Sequence, residues 1–163
     1  MDVVPEPHAY TGFLFRRAQQ SHVAAWQRNV SATISSVQYG VLSVLARVPG
    51  ASQRQLGDEL DLDRSTIAEI VGRLERRGLI ERVRDLDDRR RNALRLSALG
   101  ESELERLHPA VDAVEHILTD ALDAKERAEL RRLLALVLTS THMDPGSPVS
   151  PPASLSASQD ATE

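Results

Sequence analysis

A row of charged and polar side chains between residues 64 and 73 is the part of this chain best suited to chemistry at a nucleic acid. The row consists of Arg64, Ser65, Thr66, Glu69 and Arg73. Arginine presents a planar fork of donors that fits guanine edges and phosphates, and small hydroxyl groups can donate or accept at base edges. These residue types predict contact with the major groove of double-stranded DNA.

A second basic group follows in the consecutive residues Arg89, Arg90 and Arg91. Guanidinium groups at these positions could reach phosphates or the adjacent minor groove, whose negative potential attracts them. Asp88 lies beside them and carries the charge needed to pair with Arg90. We predict that the Asp88–Arg90 ion pair shapes this segment and performs no catalysis.

The first row needs a helix to hold it in position. Apolar residues recur at i, i+3, i+4 and i+7, which is one face of a helix: Ile67, Ile70, Val71 and Leu74. The polar row lies off this stripe and is therefore expected on the outer face. Asp63 or Ser65 can cap the first turn by accepting a backbone N–H, and Gly78 can end the helix.

The neighbouring segments complete a winged helix-turn-helix. The pattern predicts a short helix from Gln53 to Leu60, joined to the longer one by a tight connection. Gln53 and Arg54 begin that short helix and are further candidates for DNA contact. Two apolar runs, residues 79–83 and 93–96, predict a hairpin whose tip carries the three arginines.

At this point the sequence resembles the MarR family of bacterial transcriptional regulators. The resemblance rests on the run from Leu62 to Arg82 and on the wing segment after it, and it extends over about residues 10–142. The family's wing signature, an Asp-x-Arg followed by an L-T-x-x-G pattern, is carried by Asp88, Arg90, Leu96, Ser97 and Gly100. The resemblance implies a mainly α fold, a winged helix-turn-helix with long N- and C-terminal dimerisation helices and a two-stranded β-wing.

Four kinds of segment are expected in chain order. Residues 1–8 form a flexible N-terminus, and residues 35–96 form the winged helix-turn-helix DNA-binding domain. Residues 9–34 and 97–142 supply the dimerisation helices that the resemblance implies. Residues 143–163 are rich in Pro, Ser and Ala and read as a disordered tail, since they have little apolar surface to bury.

Apolar stripes in the helical segments support this division. The stripe predicted for the second helix, after a cap at Ser35 or Ser36 and before Pro49-Gly50, is Val37, Val41, Leu45 and Val48. Stripes also recur in the C-terminal segment, at Leu104, Leu107, Val111, Val114 and Leu118, and, after Asp123, at Leu130, Leu133, Leu134, Val137 and Leu138. Pro109 lies inside the first of these stripes and predicts a kink or break there. These stripes either pack two protomers together or complete a monomeric core.

The first long helix contains a candidate ligand site. Arg16 on this helix requires a partner if it is buried, and a ligand carboxylate is one possibility. The segment is similar to the branch of the family that responds to protocatechuate and related phenolic acids. That resemblance implies Arg16 for the carboxylate and His22 for a hydroxyl, with Trp26 and Gln38 as lining. Alternatively, Arg16 pairs with an acid of the partner protomer, His22 lies in the interface and Trp26 belongs to the core.

Composition excludes several other classes of function. The chain has 163 residues, no cysteine and a net charge of −4, so disulfides and thiolate chemistry are ruled out. The five histidines are too scattered for a metal site, and neither a nucleophile motif nor a phosphate-binding glycine loop occurs. We expect no enzyme activity, no cofactor and no membrane association, and a cytoplasmic location.

The net acidity is compatible with DNA binding because arginines outnumber acids between Arg73 and Arg95. Within a Debye length of about 8 Å, local charge matters more than the total. The sequence therefore predicts a homodimeric repressor of a pseudo-palindromic operator, released by a small aromatic acid. The alternatives are a constitutive DNA-binding regulator without a small-molecule ligand, and a winged-helix module that binds a protein.

Overall fold

The computed structural model describes residues 6–84 and 92–141, which form helices and a two-stranded sheet. After a 3₁₀ turn at Pro7–Ala9, the elements are α1 (Thr11–Asn29), α2 (Ser36–Arg47), α3 (Gln53–Leu60), α4 (Arg64–Arg76), β1 (Ile80–Arg84), β2 (Asn92–Leu96), α5 (Ala98–Thr119) and α6 (Ala124–Thr141). This mainly α architecture with an antiparallel hairpin confirms the predicted fold class. The chain divides into two compact units, Met1–Asp120 and Ala121–Glu163.

The core of the first unit is aliphatic and lies among α2, α3, α4, the hairpin and α5. The predicted α4 stripe is buried as expected, with Ile67, Val71 and Leu74 at most 1% exposed. Its partners include Leu42, Leu45, Leu56, Leu94 and Leu107, all equally inaccessible. Burial of this face leaves the polar row of α4 on the opposite side of the helix.

The stripe predicted for α2 is partly wrong. Val37 and Val48 are 42% and 44% exposed, and the buried face is made by Gln38, Val41, Leu42 and Leu45 together with Val44. Ser35 and Gln38 form a reciprocal capping box, so α2 begins at Ser36 and turns Gln38 inward in place of Val37. Val48 follows the last helical residue and leaves the stripe because its backbone is no longer helical.

The turn between α3 and α4 is held by backbone geometry. Asp61 adopts the left-handed conformation with φ 52°, and the Leu62 N–H donates to the carbonyl of Gly57 at 3.0 Å. A Cβ on Gly57 would lie 2.9 Å from the Leu62 carbonyl oxygen. Glycine at this position therefore lets the two helices approach at the angle of a helix-turn-helix.

Close packing also joins the hairpin to α5. Ser97 caps α5 by accepting the Gly100 N–H at 3.0 Å, and its hydroxyl donates to the carbonyl of Gly78 at 2.5 Å. A Cβ on Gly100 would lie only 2.0 Å from the Leu79 carbonyl oxygen. The Ser97 and Gly100 positions of the wing signature thus lock the base of the hairpin against the start of α5.

Helix α5 is continuous through Pro109, so the predicted break does not occur. Proline removes the N–H that would bond to the carbonyl of Glu105, but both residues lie on an exposed face. Water can satisfy that carbonyl, and this explains how the helix tolerates the residue. In the second unit, Asp123 and Glu126 form a reciprocal cap for α6, as the sequence predicted for Asp123.

Candidate nucleic-acid interface and adjoining cavity

The N-terminus of α4 is fixed by one carboxylate. Asp63 accepts the backbone N–H groups of Ser65 and Thr66, each at 2.9 Å. Both hydroxyl groups also donate to it, that of Thr66 at 2.6 Å. These hydrogen bonds, led by the hydroxyl of Ser65, hold the pKa of Asp63 far below its usual value. The hydroxyl groups of Ser65 and Thr66 can therefore only accept further hydrogen bonds, and the first turn of α4 is rigid.

The charged members of the α4 row differ in whether they are paired. Arg73 makes an ion pair with Glu69 one turn earlier, at 3.1 Å, and both side chains are largely exposed. Arg64 is exposed and makes no hydrogen bond or ion pair with any residue in the described parts of the chain. Arg64 is therefore free to bind an acceptor on a nucleic acid, whereas part of the Arg73 guanidinium is already paired with a carboxylate.

The candidate residues of α3 lie at its exposed start. Arg54 approaches Asp58 at 3.8 Å, and its side chain is 91% exposed. Gln53 is half-buried and follows Ser52, which caps the helix in a box with Gln55. An exposed pair at this distance contributes little stability, so Arg54 is available to another partner.

The predicted wing residues Asp88, Arg89, Arg90 and Arg91 lie outside the described residues. The structure does show how the base of the wing is oriented. Arg82 of β1 donates to both carboxylate oxygens of Glu75 in α4, at 3.0 and 3.1 Å. This contact was not found from the sequence, because nothing in the local pattern aligns a helix residue with a strand residue after a turn.

A cavity of about 640 Å³ lies beside α4, between that helix and the connection from α1 to α2. Its apolar lining comprises Val23, Trp26, Ile34, Val37, Leu62 and Ile70. Its basic lining comprises Arg73, Arg76 and Arg77, all from the second half of α4 and its end. Apolar walls with a few charged groups at one side are typical of sites for small organic anions.

The four residues predicted to hold a ligand are divided by the structure. Trp26 and Gln38 line the cavity, whereas Arg16 and His22 are not among its lining residues. Gln38 is 8% exposed, and its carbonyl oxygen accepts the backbone N–H of Ser35 at 3.0 Å. The Arg16 guanidinium lies 5.0 Å from the centre of the Phe13 ring. Arg16 is thus not brought together with Trp26 and Gln38 within one chain, whereas the His22 ring meets that of Trp26 without lining the cavity.

Trp26 links several of these groups. It is 5% exposed, and its indole N–H donates to the Ile34 carbonyl at 2.7 Å. The rings of His22 and Tyr39 meet it edge-on, with centroids 6.0 and 5.6 Å away. Trp26 therefore belongs to the core, as the alternative interpretation held, and it also forms part of the cavity wall.

Arg77 is a cavity residue that sequence reasoning missed. It follows α4 as the C-cap, and its Nη1 donates to the carbonyl of Thr33 at 2.7 Å. Its Nη2 lies 3.5 Å from the Thr33 hydroxyl. Its charge also contributes to a lowered pKa of Glu103, after the larger effect of the hydrogen bonds from Arg106. A basic residue at the end of a helix was the only signal in the sequence.

Within residues 6–84 and 92–141, no three acidic or histidine side chains converge as metal ligands would. None of the helices in those ranges combines the length and apolar content needed to cross a membrane.

Comparison with known proteins supports one family. Residues 32–91 match the model of the MarR family. The chain is 36% identical over 125 residues to the putative transcriptional regulatory protein for the hcr operon of Thauera aromatica, covering 76% of this chain and 75% of that protein.

Two solved structures are similar over most of their length. PcaV of Streptomyces coelicolor, solved in complex with its natural ligand, is 39% identical with a TM-score of 0.81, over 85% of this chain and 99% of PcaV. BpsR of Bordetella bronchiseptica, whose DNA binding is regulated by 6-hydroxynicotinic acid, is 26% identical with a TM-score of 0.70, over 78% of this chain and 97% of BpsR.

Proposed function

The chain belongs to the MarR family of DNA-binding transcriptional regulators, and from this premise we propose that it is a homodimeric repressor released by a small aromatic acid. The observation that carries the proposal is the position of the cavity. Thr66, Ile70 and Arg73 line it, and all three belong to the helix that presents the DNA-binding row. A ligand in this cavity therefore contacts α4, the same helix that contacts DNA.

For DNA recognition, α4 is the helix that enters the major groove. Arg64 reads a base edge or phosphate at its N-terminal end, and Arg73 joins it after exchanging Glu69 for the nucleic acid. Gln53 and Arg54 contact the backbone from the start of α3. The arginines at positions 89–91 reach the neighbouring groove or its phosphates. Ser65 and Thr66 support the helix start and accept hydrogen bonds.

For assembly, the exposed apolar side chains support a dimer. Among the described residues, most large hydrophobic side chains that are more than a third exposed lie on α1, α5 and α6. Those on α6 are Leu130, Leu133, Leu134, Leu136, Val137 and Leu138. A helix with so much uncovered leucine and valine is stabilised when a second protomer covers it. A two-fold dimer places two copies of α4 in successive major grooves of a pseudo-palindrome.

For regulation, the cavity fits an aromatic acid. Trp26, Ile34 and Val37 offer apolar contact to a ring, and the amide of Gln38 offers a polar contact. The relative BpsR responds to 6-hydroxynicotinic acid, which is an aromatic acid. Binding that favours a conformation poorly matched to DNA lowers operator affinity by the ligand's differential affinity for the two states.

The test is binding of the purified protein to the intergenic DNA beside its own gene, with and without a panel of phenolic acids. Protocatechuate, 4-hydroxybenzoate and 6-hydroxynicotinic acid belong in the panel, and the matching aldehydes are neutral controls. We expect specific binding that at least one acid weakens. Binding that no acid affects would favour the constitutive regulator.

A further inference from the structure

The connection between α1 and α2 is held from two sides. On one side, the Trp26 indole N–H donates to the Ile34 carbonyl at 2.7 Å. On the other, the Arg77 guanidinium donates to the adjacent Thr33 carbonyl, also at 2.7 Å. The second contact spans 44 residues of sequence and ties the connection to the end of the recognition helix, α4. The position of α4 and that of the connection are therefore coupled through one side chain.

The three arginines of the cavity are not equivalent. Arg73 is neutralised by Glu69 at 3.1 Å. Arg76 makes no hydrogen bond or ion pair with the residues that the structure describes. Arg77 holds a backbone carbonyl, with its second nitrogen 3.5 Å from the Thr33 hydroxyl. Only Arg77 joins the cavity to the α1–α2 connection, so a change of its partner has consequences beyond the cavity.

A carboxylate is a better partner for this guanidinium than a carbonyl. Charge-assisted hydrogen bonds are roughly twice as strong as neutral ones, and a carboxylate accepts two of them in parallel from an arginine fork. We propose that Arg77 anchors the carboxylate of the effector, and that it does so by exchanging the Thr33 carbonyl for that carboxylate. This inference rests on the proposed release by an aromatic acid, and it assigns the anchor to α4 instead of to Arg16.

The exchange supplies a mechanism of release. An occupied cavity breaks the tether between α4 and the connection, while the ring is held against Trp26. The recognition helix loses one of the contacts that hold its C-terminal end, and its alignment with the groove changes. By thermodynamic linkage, operator DNA must lower the affinity for the acid by the same factor as the acid lowers the affinity for DNA.

Trp26 makes the test direct, because it is the only tryptophan of the chain and lines the cavity. Its fluorescence reports occupancy without DNA. We would titrate the full-length protein with the acid that releases DNA and with the matching carboxamide, in the wild type and in Arg77→Ala. The wild type should prefer the acid by about 10- to 100-fold, as expected for a hydrogen-bonded charge. In Arg77→Ala the preference should fall below about threefold, and in Arg77→Lys it should recover in part.

Two neighbouring variants serve as controls. Arg76→Ala removes another cavity arginine without touching the tether; the preference for the acid should remain, and its loss would identify Arg76 as the anchor and overturn the inference. Arg16→Ala removes the anchor implied by the family resemblance, and it should also keep the preference. If Arg16→Ala abolishes the preference and Arg77→Ala does not, the anchor is Arg16 and our inference is overturned, while the proposed function stands. If no acid binds the wild type, the proposed function and the anchor both fail.

Circular dichroism of each variant separates a local effect from loss of folding. The Arg77 side chain is exposed, so truncation leaves no buried group unpaired except the Thr33 carbonyl, which water can reach. Should Arg77→Ala nevertheless unfold, Arg77→Lys gives the answer by itself. Lysine retains the charge but lacks the planar fork that binds a carboxylate with two parallel hydrogen bonds, so it should reduce the preference for the acid, and an unchanged preference would contradict the proposal.

Discussion

At the scale of single residues, the decisive property of the α4 row is which side chains are already occupied. The hydroxyl groups of Ser65 and Thr66 each donate a hydrogen bond to Asp63, and Arg73 forms an ion pair with Glu69. Arg64 alone in that row is exposed and without a partner in residues 6–84 and 92–141. The sequence places all five off the apolar stripe of α4, but their hydrogen bonds and ion pairs determine their roles.

Arg64→Ala should therefore weaken operator binding more than any other single change in the row. Losing a bidentate base contact costs about 1–3 kcal/mol and relaxes discrimination at one base pair. Fluorescence anisotropy with the operator and with single-base variants measures both effects. Arg28→Ala, on α1, is the matched control and should leave DNA affinity unchanged. Equal losses on all DNA sequences would instead identify Arg64 as a phosphate contact.

Asp63→Asn should destabilise the protein in a pH-dependent way. The folded-state pKa of Asp63 is lowered by its hydrogen bonds, so its contribution to stability is present above the unfolded-state pKa. That contribution is lost as the pH falls through the lower folded-state value. The difference in melting temperature between wild type and variant should thus be largest near neutral pH and shrink in strong acid. A constant difference from pH 7 to the acid limit would show that the charge is irrelevant.

At the scale of elements, the junction between the hairpin and α5 explains the end of the wing signature. Ser97 caps α5 and holds the Gly78 carbonyl, while Gly100 allows the backbone of Leu79 to pass directly over the helix. Arg82 and Glu75 then fix the angle of β1 on α4. The described end of the signature, Ser97 and Gly100, thus has a structural role at the base of the hairpin.

Gly100→Ala should destabilise this junction by about 3 kcal/mol, at the upper end of the range for overpacking. The added Cβ meets a backbone oxygen, which cannot rotate away as a side chain can. Urea denaturation followed by circular dichroism measures the loss. Gly12→Ala in α1 is the control, since a Cβ there meets nothing within 4 Å. A neutral Gly100→Ala would mean that α5 shifts without cost.

At the scale of the whole molecule, the chain has a net negative charge but carries an excess of arginine over acidic residues between Arg73 and Arg95. The two coexist because the charges are segregated along the chain. Among the described residues, most of the exposed large apolar side chains are segregated as well, onto α1, α5 and α6. In a monomer these apolar surfaces would stay exposed to water, which is unfavourable and typical of an interaction site. The dimer that we propose accounts for them.

Leu134→Glu should therefore convert a dimer into monomers and reduce operator affinity by more than tenfold, because each half-site would then be bound separately. Sedimentation equilibrium at several concentrations measures the assembly. Lys125→Glu, at the exposed start of α6, should leave the dimer intact. A wild-type protein that sediments as a monomer at all concentrations would refute the proposed assembly.

The sequence alone determined the features that depend on neighbouring residues. Apolar periodicity located the helices, and short polar side chains limited each of two caps to two candidates, because a turn of helix involves residues only three or four apart. The structure uses Ser35, not Ser36, and Asp63, not Ser65. Periodicity was wrong at Val37, which is exposed, whereas Gln38 closes the capping box with Ser35 and lies on the buried face.

Only the tertiary structure decided which distant groups meet. Arg77 and Thr33 are 44 residues apart, and the cavity between them combines α1, the connection, α2 and α4. A sequence shows that several arginines are present but not which carboxylate or carbonyl each one finds. That choice is made by packing of the whole chain, since it fixes the few partners within reach of each guanidinium.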